Sequence, residues 1–442
     1  MSSAVLDQAR AAAAAAKKRG AGDVRVSVYR TRGSRTEWRD GKLDRLRQST
    51  RMGLSVTLYV DGRYSSNATN DLRPAAVDSF LDECIAGTRV LAQDPHRHLP
   101  DPARYAGRFT GDLQILDEAS AQAVTAADRQ RTAQAIERAA RSGPGADRII
   151  SVTTSCSDRL GESAMVTSNG MEGTRRVTSF SIFAETSIRG EEGRKPEGWR
   201  YATSCHRAKL PSLDSIGQEA TRRAMANLGA KPEPSGEYPC IIENVVTSRL
   251  LRGLFRPLYG NAIQQKRSFL ADKLGQAIAS PLLTITDDPL LPGGLGSGTY
   301  DGEGMATVAR KVIHQGVLRS FFIDTYYGSK LGKEPTTGST SNLVFSPGDK
   351  DLTQLLAAMS RGILITGFSG GNSNPATGDF SVGVRGQWIE DGKPVRPISG
   401  MNLAGNHLTF WNQLRELGSD PYAYSTIRCP SLRFDAVQFS GK

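Results

Sequence analysis

The sequence predicts an α+β chain, with an N-terminal half of two helix–antiparallel-strands–helix units and a β-rich C-terminal domain of mostly antiparallel sheets. Three observations carry this. A helical pattern, a set of alternating strand-like segments and a second helical pattern occur once, then recur. The stretch Lys231-Pro-Glu-Pro-Ser-Gly236 then reads as a linker, because its prolines and glycine stop regular structure. Beyond Tyr238 the chain is dominated by short apolar runs punctuated by Gly, Pro, Asn and Asp. The boundaries drawn from this are residues 1–117, 118–233 and 234–442.

In chain order, residues 3–19 form a helix, since alanine is the best helix former. Residues 23–31 alternate like a strand, with Val24, Val26 and Val28 on one face. Strands are expected near 35–39, 43–50 and 54–60. Asp61-Gly62 is a hairpin signal leading into 63–67. A helix over 74–92 and a proline-punctuated linker over 95–102 complete the first unit. The second begins with an alanine-rich helix over 119–141. Strands follow over 148–156, 163–167, 175–188 and 198–208, then a helix over 215–228. The two units share a pattern but no evident sequence identity. In the C-terminal part, 246–258 and 273–279 read as helical. Residues 353–361 read as a short amphipathic helix with Leu355, Leu356 and Met359 on one side.

The 442 residues give ample mass for two or three domains with real cores, and 38% hydrophobic with 23% charged residues is ordinary for a soluble protein. No apolar run approaches the ~18 residues that would span a bilayer. At the N-terminus, Asp7 and Arg10 precede the alanine run and Lys17 and Lys18 follow it, the reverse of a signal peptide's order. The five scattered cysteines show no C-x-x-C, so a reducing, cytoplasmic setting is expected rather than a disulfide framework. The net charge of +11 invites a nucleic-acid reading, but acids are interleaved with the bases and no Lys/Arg run of five occurs. Nucleic acid is therefore not an expected partner.

Residues 367–386, GFSGGNSNPATGDFSVGVRG, pose the main chemical question. Gly367-Phe-Ser-Gly-Gly371 matches G-x-S-x-G, and an order Ser369, Asp379 or Asp391, His407 can be drawn. A nucleophile elbow needs a helix after the turn, and Asn372-Ser-Asn-Pro does not start one. A phosphate loop is weaker still, lacking G-K-[ST]. What the loop offers is backbone: Gly370, Gly371, Gly378, Gly383 and Gly386 let another chain come near, and Asn372 and Asn374 add amide groups. Either an extended peptide is gripped there or the segment is a structural hairpin. Among the histidines, His96 and His98 lie in the linker and Cys205-His206 point to opposite faces of a strand. Cys429 alone cannot make a zinc site. Asp287-Asp288 and Asp301-Gly-Glu303 suit acid/base work or Asx turns, and the turn reading is favoured. Tyr326-Tyr327 reads as core or interface.

Four C-terminal stretches resemble the TldD/PmbA (TldE) family, cytosolic metallopeptidases also called modulators of DNA gyrase. They are KLGQAIASPLLTITDDPLLPGGLGSGTYDGEG, GVLRSFFIDTYYGSKLG, GGNSNPATGDFSVGVRGQWIEDGKPVRPISGMNLAGN and IRCPSLRFDAVQFSGK. The resemblance covers residues 238–442 strongly and the first half by pattern only. It implies, in TldD-type chains, H-E-x-x-x-H on a helix, binding zinc with a glutamate base. The corresponding stretch here, 245–260, has neither His nor Glu and carries Arg252 and Arg256. Cys429 resembles the family's C-terminal cysteine, without its two histidines. The chain therefore looks like the PmbA/TldE type, lacking catalytic and metal residues of its own.

The resemblance further implies a heterodimer with a TldD-like partner subunit that holds the zinc; a homodimer is the other assembly to consider. It implies a peptide substrate, unfolded or precursor, held as an added strand. It also favours the binding reading of the loop. The expected substrate or cleft residues are Gly370, Gly371, Asn372, Asn374, Gly378, Asp379, Phe380 and Ser381. The alternatives are a DNA- or gyrase-associated regulatory binding protein and a self-sufficient hydrolase using Ser369.

Overall fold

The computed structural model describes residues 4–441 and shows a mixed α+β protein. Helix α1 (Ala4–Lys18) lays Ala9, Ala12, Ala13 and Ala16 against strand β1 (Asp23–Arg39); their small side chains let the helix sit close. The predicted face is there: Val24, Val26 and Val28 are each 0% exposed. The strands run longer than the alternation suggests. β1 passes through the polar stretch 32–37 without a break and pairs along its whole length with β2 (Lys42–Val60). Its distal half buries Ser34, Thr36 and Trp38, and the Trp38 indole donates to Glu137 Oε2 at 2.6 Å. Asp61 and Gly62 both take positive φ in the tight turn to β3 (Arg63–Thr69), as the dipeptide predicts. Helix α2 (Pro74–Arg89) follows.

The expected long helix over 119–141 is two, α3 (Glu118–Ala123) and α4 (Ala126–Ala140). Thr125 stops the first and caps the second: its Oγ1 accepts from Asp128 N–H at 3.1 Å, while Asp128 Oδ2 accepts from Thr125 N–H at 2.9 Å. Strands β4 (Ile149–Thr167), β5 (Glu172–Ile188) and β6 (Glu197–Ser204) precede α5 (Leu213–Met225). β4 absorbs two expected strands into one and pairs antiparallel with β1. One six-stranded sheet, ordered β3-β2-β1-β4-β5-β6, therefore runs through both N-terminal segments. α4 and α5 cross closely on it, and a Cβ at Gly217 would sit 2.3 Å from Ile136 O.

The C-terminal region opens with β7 (Gly236–Ile242), α6 (Ser248–Phe255) and α7 (Gly260–Gln264). The expected helix over 246–258 shortens to α6 plus a 3-10 turn at Arg256–Leu258, where Pro257 enters. The expected helix over 273–279 does not form. Gly275 takes φ +80°, and the N–H groups of Gly275 and Ile278 donate to Leu318 O and Gly316 O, both at 2.8 Å, instead of to a helix. Then come β8 (Ile285–Asp287), β9 (Arg310–His314), β10 (Val317–Leu318), α8 (Thr325–Leu331) and β11 (Leu343–Phe345). α9 (Leu352–Ala357) is shorter than predicted, since Arg361 already starts β12 (Arg361–Ser373). β13 (Asp379–Glu390), β14 (Lys393–Asn406), α10 (His407–Phe410), β15 (Leu414–Leu417), β16 (Ile427–Arg428) and β17 (Leu432–Ser440) complete the chain.

Five of these strands form a small sheet, β10-β9-β8-β11-β16. The larger one runs β14-β13-β12-β7-β17-β15, and a further β14–β17 pairing closes five strands upon themselves. Two pairings, β7 with β12 and β11 with β16, are parallel; the rest are antiparallel. Trp388, Trp411, Phe434 and Phe439, each 0% exposed, belong to the core inside this closed sheet.

Candidate functional site

Helix α6 buries Leu250, Leu251, Leu254 and Phe255 in that core. Its opposite face exposes Arg249 and Arg252, and Arg256 continues the same face just past the helix end. Spacings of three and four residues keep the three side chains together. Beside them runs the far end of β12. β7 pairs with β12 only over Ile363–Ile365, and Glu243 N–H donates to Ile365 O at 3.1 Å where β7 leaves. β13 stays paired as far as Ser373. From Gly367 to Ser373, β12 thus has a strand neighbour on one edge only, among the described residues. Arg249 Nη2 donates to Gly370 O at 2.7 Å across the gap. Between α6 and this edge lies a cleft of about 210 Å³ whose polar lining includes Arg249, Arg252, Arg256, Asn372, Ser373 and His407.

His407 is held on all sides and is 1% exposed. Its ring lies parallel to Phe269 at 5.9 Å and tilted against Phe380 at 4.7 Å. The Trp411 indole N–H, which can only donate, reaches His407 Nδ1 at 3.2 Å. The ring hydrogen therefore sits on Nε2, which donates to Ser373 Oγ at 3.1 Å. With no acid to stabilise the imidazolium, burial lowers the pKa to about 4. His407 is a neutral hydrogen-bond donor, not a base for Ser373. Gly253 makes room for the pair: a Cβ there would sit 2.3 Å from His407 Nε2 and 2.7 Å from Ser373 Oγ.

The eight residues expected from the sequence fall into distinct places. Gly370 and Gly371, at φ +56° and +84°, form a bulge where the β12–β13 register jumps from Ser369 to Asn372. A Cβ on Gly371 would meet Ser381 O at 2.4 Å, whereas one on Gly370 would meet nothing within 4 Å. Gly371, Asn372 and Phe380 line the cleft. Asn374, Gly378 and Asp379 tie the hairpin turn: Asn374 N–H donates to Asp379 O and Gly378 N–H to Asn374 O, both at 2.8 Å. Asp379 also accepts from Thr377 Oγ1 at 2.7 Å and Asn406 Nδ2 at 2.9 Å. Ser381 lies inside the sheet, opposite Asn372 on one side and Ala404 on the other. Ser369 sits mid-strand, and β12 turns back into β13 rather than into a helix. The imidazole that the sequence would pair with Ser369 serves Ser373 instead. Arg249, Gly253, Ser373 and Trp411 were not singled out from the sequence. The only local signal was the i, i+4 spacing of His407 and Trp411.

The donors present do not fit a zinc ion. Among the described residues no three His, Cys, Asp or Glu side chains gather to hold a metal. Both His407 nitrogens are committed. Cys429 is 0% exposed, its thiol donates to Pro430 O at 3.3 Å, and burial pushes its pKa up, away from the thiolate a metal needs. The acidic pairs resolve largely as turns. Asp301 Oδ1 accepts from Glu303 N–H at 2.9 Å, and Asp288 Oδ1 from Leu290 N–H at 2.9 Å. Asp287 accepts from the Ser341 N–H and hydroxyl at 2.7 and 2.6 Å. No helix among the described residues is long and apolar enough to cross a membrane.

Comparison with known proteins agrees along the whole chain. Family models match three consecutive stretches: PmbA/TldA metallopeptidase domain 1 over residues 24–87, the central domain over 119–228 and the C-terminal domain over 235–441. The metalloprotease PmbA of Escherichia coli O157:H7 is 28% identical over 428 residues, covering 94% of this chain and 92% of that protein. A crystal structure from Bacteroides thetaiotaomicron, described as a modulator of DNA gyrase, superposes with TM-score 0.95 at 41% identity, covering 99% and 98% of the two chains. TldE from Thermococcus kodakarensis shares the fold at TM-score 0.87 and 18% identity, covering 98% of this chain and 100% of its own. The chain belongs to the PmbA/TldD metallopeptidase family.

Proposed function

We propose that this chain is the metal-free, TldE-like subunit of a two-chain TldD/TldE-type zinc peptidase acting on unfolded or precursor peptides. It contributes cleft walls and backbone binding, and a TldD-like partner supplies the zinc. One observation carries the reading: where α6 faces the cleft it presents Arg249, Arg252 and Arg256, positive charge that repels a cation, beside an imidazole with no free lone pair. The one-sided edge of β12 supports the substrate reading. An extended peptide can add there by main-chain hydrogen bonds, and the bulge at Gly370 and Gly371 keeps side chains out of its way. Ser369 has no base beside it, which argues against a self-sufficient hydrolase.

The test is to purify the chain alone and together with a TldD-type chain, then follow cleavage of an unstructured peptide. The reading expects a stable pair, cleavage by the pair that a zinc chelator abolishes, and none by this chain alone. Cleavage by the isolated chain overturns it.

A further inference from the structure

We propose that the cleft between α6 and the β12–β13 hairpin is a carboxylate-binding subsite, in which Arg249, Arg252, Arg256 and the Ser373 hydroxyl receive a carboxylate carried by a bound peptide. This rests on the reading that a peptide lies along β12, and it names the chemistry that peptide brings.

Charge is the first argument. Three guanidinium groups line the cleft, and no Asp or Glu does. Many arginines elsewhere in the chain, by contrast, have acids at hand. Arg129, Arg141, Arg176, Arg222, Arg223 and Arg396 all form ion pairs. Neither Arg252 nor Arg256 has a side-chain hydrogen bond or ion pair among the described residues. Arg249 spends one nitrogen on Gly370 O and keeps the rest of its fork. A planar fork with several N–H donors matches a carboxylate in a way a point charge does not.

The hydroxyl is the second. His407 Nε2–H donates into Ser373 Oγ, so the Ser373 hydrogen is left to donate outward. The imidazole's tautomer, set by Trp411, thus turns Ser373 into one more donor facing the cleft. The unspent polar groups are donors, apart from the Asn372 amide, which can present either of its ends.

Size and floor are the third. About 210 Å³ lies below the usual range for a whole small-molecule site and suits one residue of a peptide. Leu250, Phe380 and Val382 make an apolar floor, against which the stem of an acidic side chain or the last side chain of a peptide can lie. The carboxylate has two sources, a Glu or Asp side chain or the chain terminus. The cleft opens on the unpaired edge of β12, where a peptide backbone finds main-chain partners and a nucleic-acid backbone does not. That favours a peptide over an oligonucleotide.

The test is fluorescence anisotropy with three labelled peptides of one extended neutral sequence. The first has an amidated C-terminus, the second a free C-terminus, and the third an amidated C-terminus with one Glu added. Each is titrated with the wild-type chain, R252Q/R256Q and R252K/R256K, alone and paired with a TldD-type chain. All substituted side chains are exposed, and circular dichroism checks that the variants fold. A carboxylate peptide should bind about tenfold more tightly than the neutral amide. R252Q/R256Q should erase that difference, while R252K/R256K restores part of it. The preferred peptide identifies the source as terminus or side chain. Equal binding of all three peptides, unaltered in R252Q/R256Q, overturns the subsite and leaves the peptide-binding reading standing. No binding of any peptide, alone or paired, overturns both. Tight binding of a single-stranded DNA oligonucleotide that R252Q/R256Q abolishes, without any carboxylate preference, assigns the cleft to nucleic acid and also overturns the proposal.

Discussion

Gly253→Ala sets two known effects against each other, and the structure decides between them. In the interior of an exposed helix, replacing Gly by Ala stabilises by about 1 kcal/mol. Here the new methyl would sit 2.3 Å from His407 Nε2 and 2.7 Å from Ser373 Oγ, so neighbours must move. His407 cannot swing away, being stacked between Phe269 and Phe380 and tied to Trp411. Overpacking of this kind costs about 1–3 kcal/mol, so against that gain the net effect is a loss of up to about 2 kcal/mol. Urea denaturation followed by tryptophan fluorescence measures it. His407→Ala removes the obstacle, so in that background the same Gly253→Ala change should become neutral or stabilising. A double-mutant cycle therefore gives a coupling of about 1–3 kcal/mol. If Gly253→Ala stabilises the otherwise wild-type chain, the packing described for this cleft is wrong.

His407 also makes stability depend on pH. Its pKa is about 4 in the folded chain against an ordinary 6.5 unfolded. Below pH 6.5 the unfolded chain takes up a proton that the native chain refuses, so stability is whole above that pH and falls as pH drops towards 4. The full loss is about 3 kcal/mol, and the part of the pH dependence that disappears in His407→Phe should match it. A wild-type chain whose pH profile over that window is unchanged by His407→Phe would contradict the assignment. The buried pair of Arg129 and Asp158, 7% and 9% exposed, ties α4 to β4 through a fork that includes an Nη2–Oδ2 bond of 2.9 Å. Asp158→Asn leaves the Arg129 charge buried without its partner and should cost about 3–5 kcal/mol in denaturant titration. A change under about 1 kcal/mol, the range of an exposed pair, would count against that burial.

Local chemistry made much of the fold legible. Val24, Val26 and Val28 advertised a buried face, and Asp61-Gly62 named its own turn. The linker 231–236 marked the entry to β7. Strand lengths were not legible, because polar residues 32–37 and Gly161 interrupt the apolar alternation while the backbone stays paired to neighbours far along the chain. Nor was the joining of both N-terminal segments in one sheet, which depends on β1 meeting β4. The residues around the cleft show the same limit. The glycines at Gly370 and Gly371 could be anticipated as positions of special backbone, and so could the absence of His and Glu beside Arg252 and Arg256 over 245–260. That His407 bonds Ser373 rather than Ser369 follows from the antiparallel register, which sets Ser373 opposite Phe380 and Phe380 opposite Gly405. That Arg249 reaches Gly370 depends on β7, which leads into α6, pairing with β12 more than a hundred residues later in the sequence. The helix expected over 273–279 failed for a related reason: its N–H groups found better acceptors on residues 316–318.

The most direct test of the central claim is the metal content of the purified chain, measured by inductively coupled plasma mass spectrometry after zinc loading and gel filtration, alone and paired with a TldD-type chain. The account predicts no stoichiometric zinc on this chain alone and one zinc per pair. One zinc per isolated chain, retained after gel filtration, would contradict it.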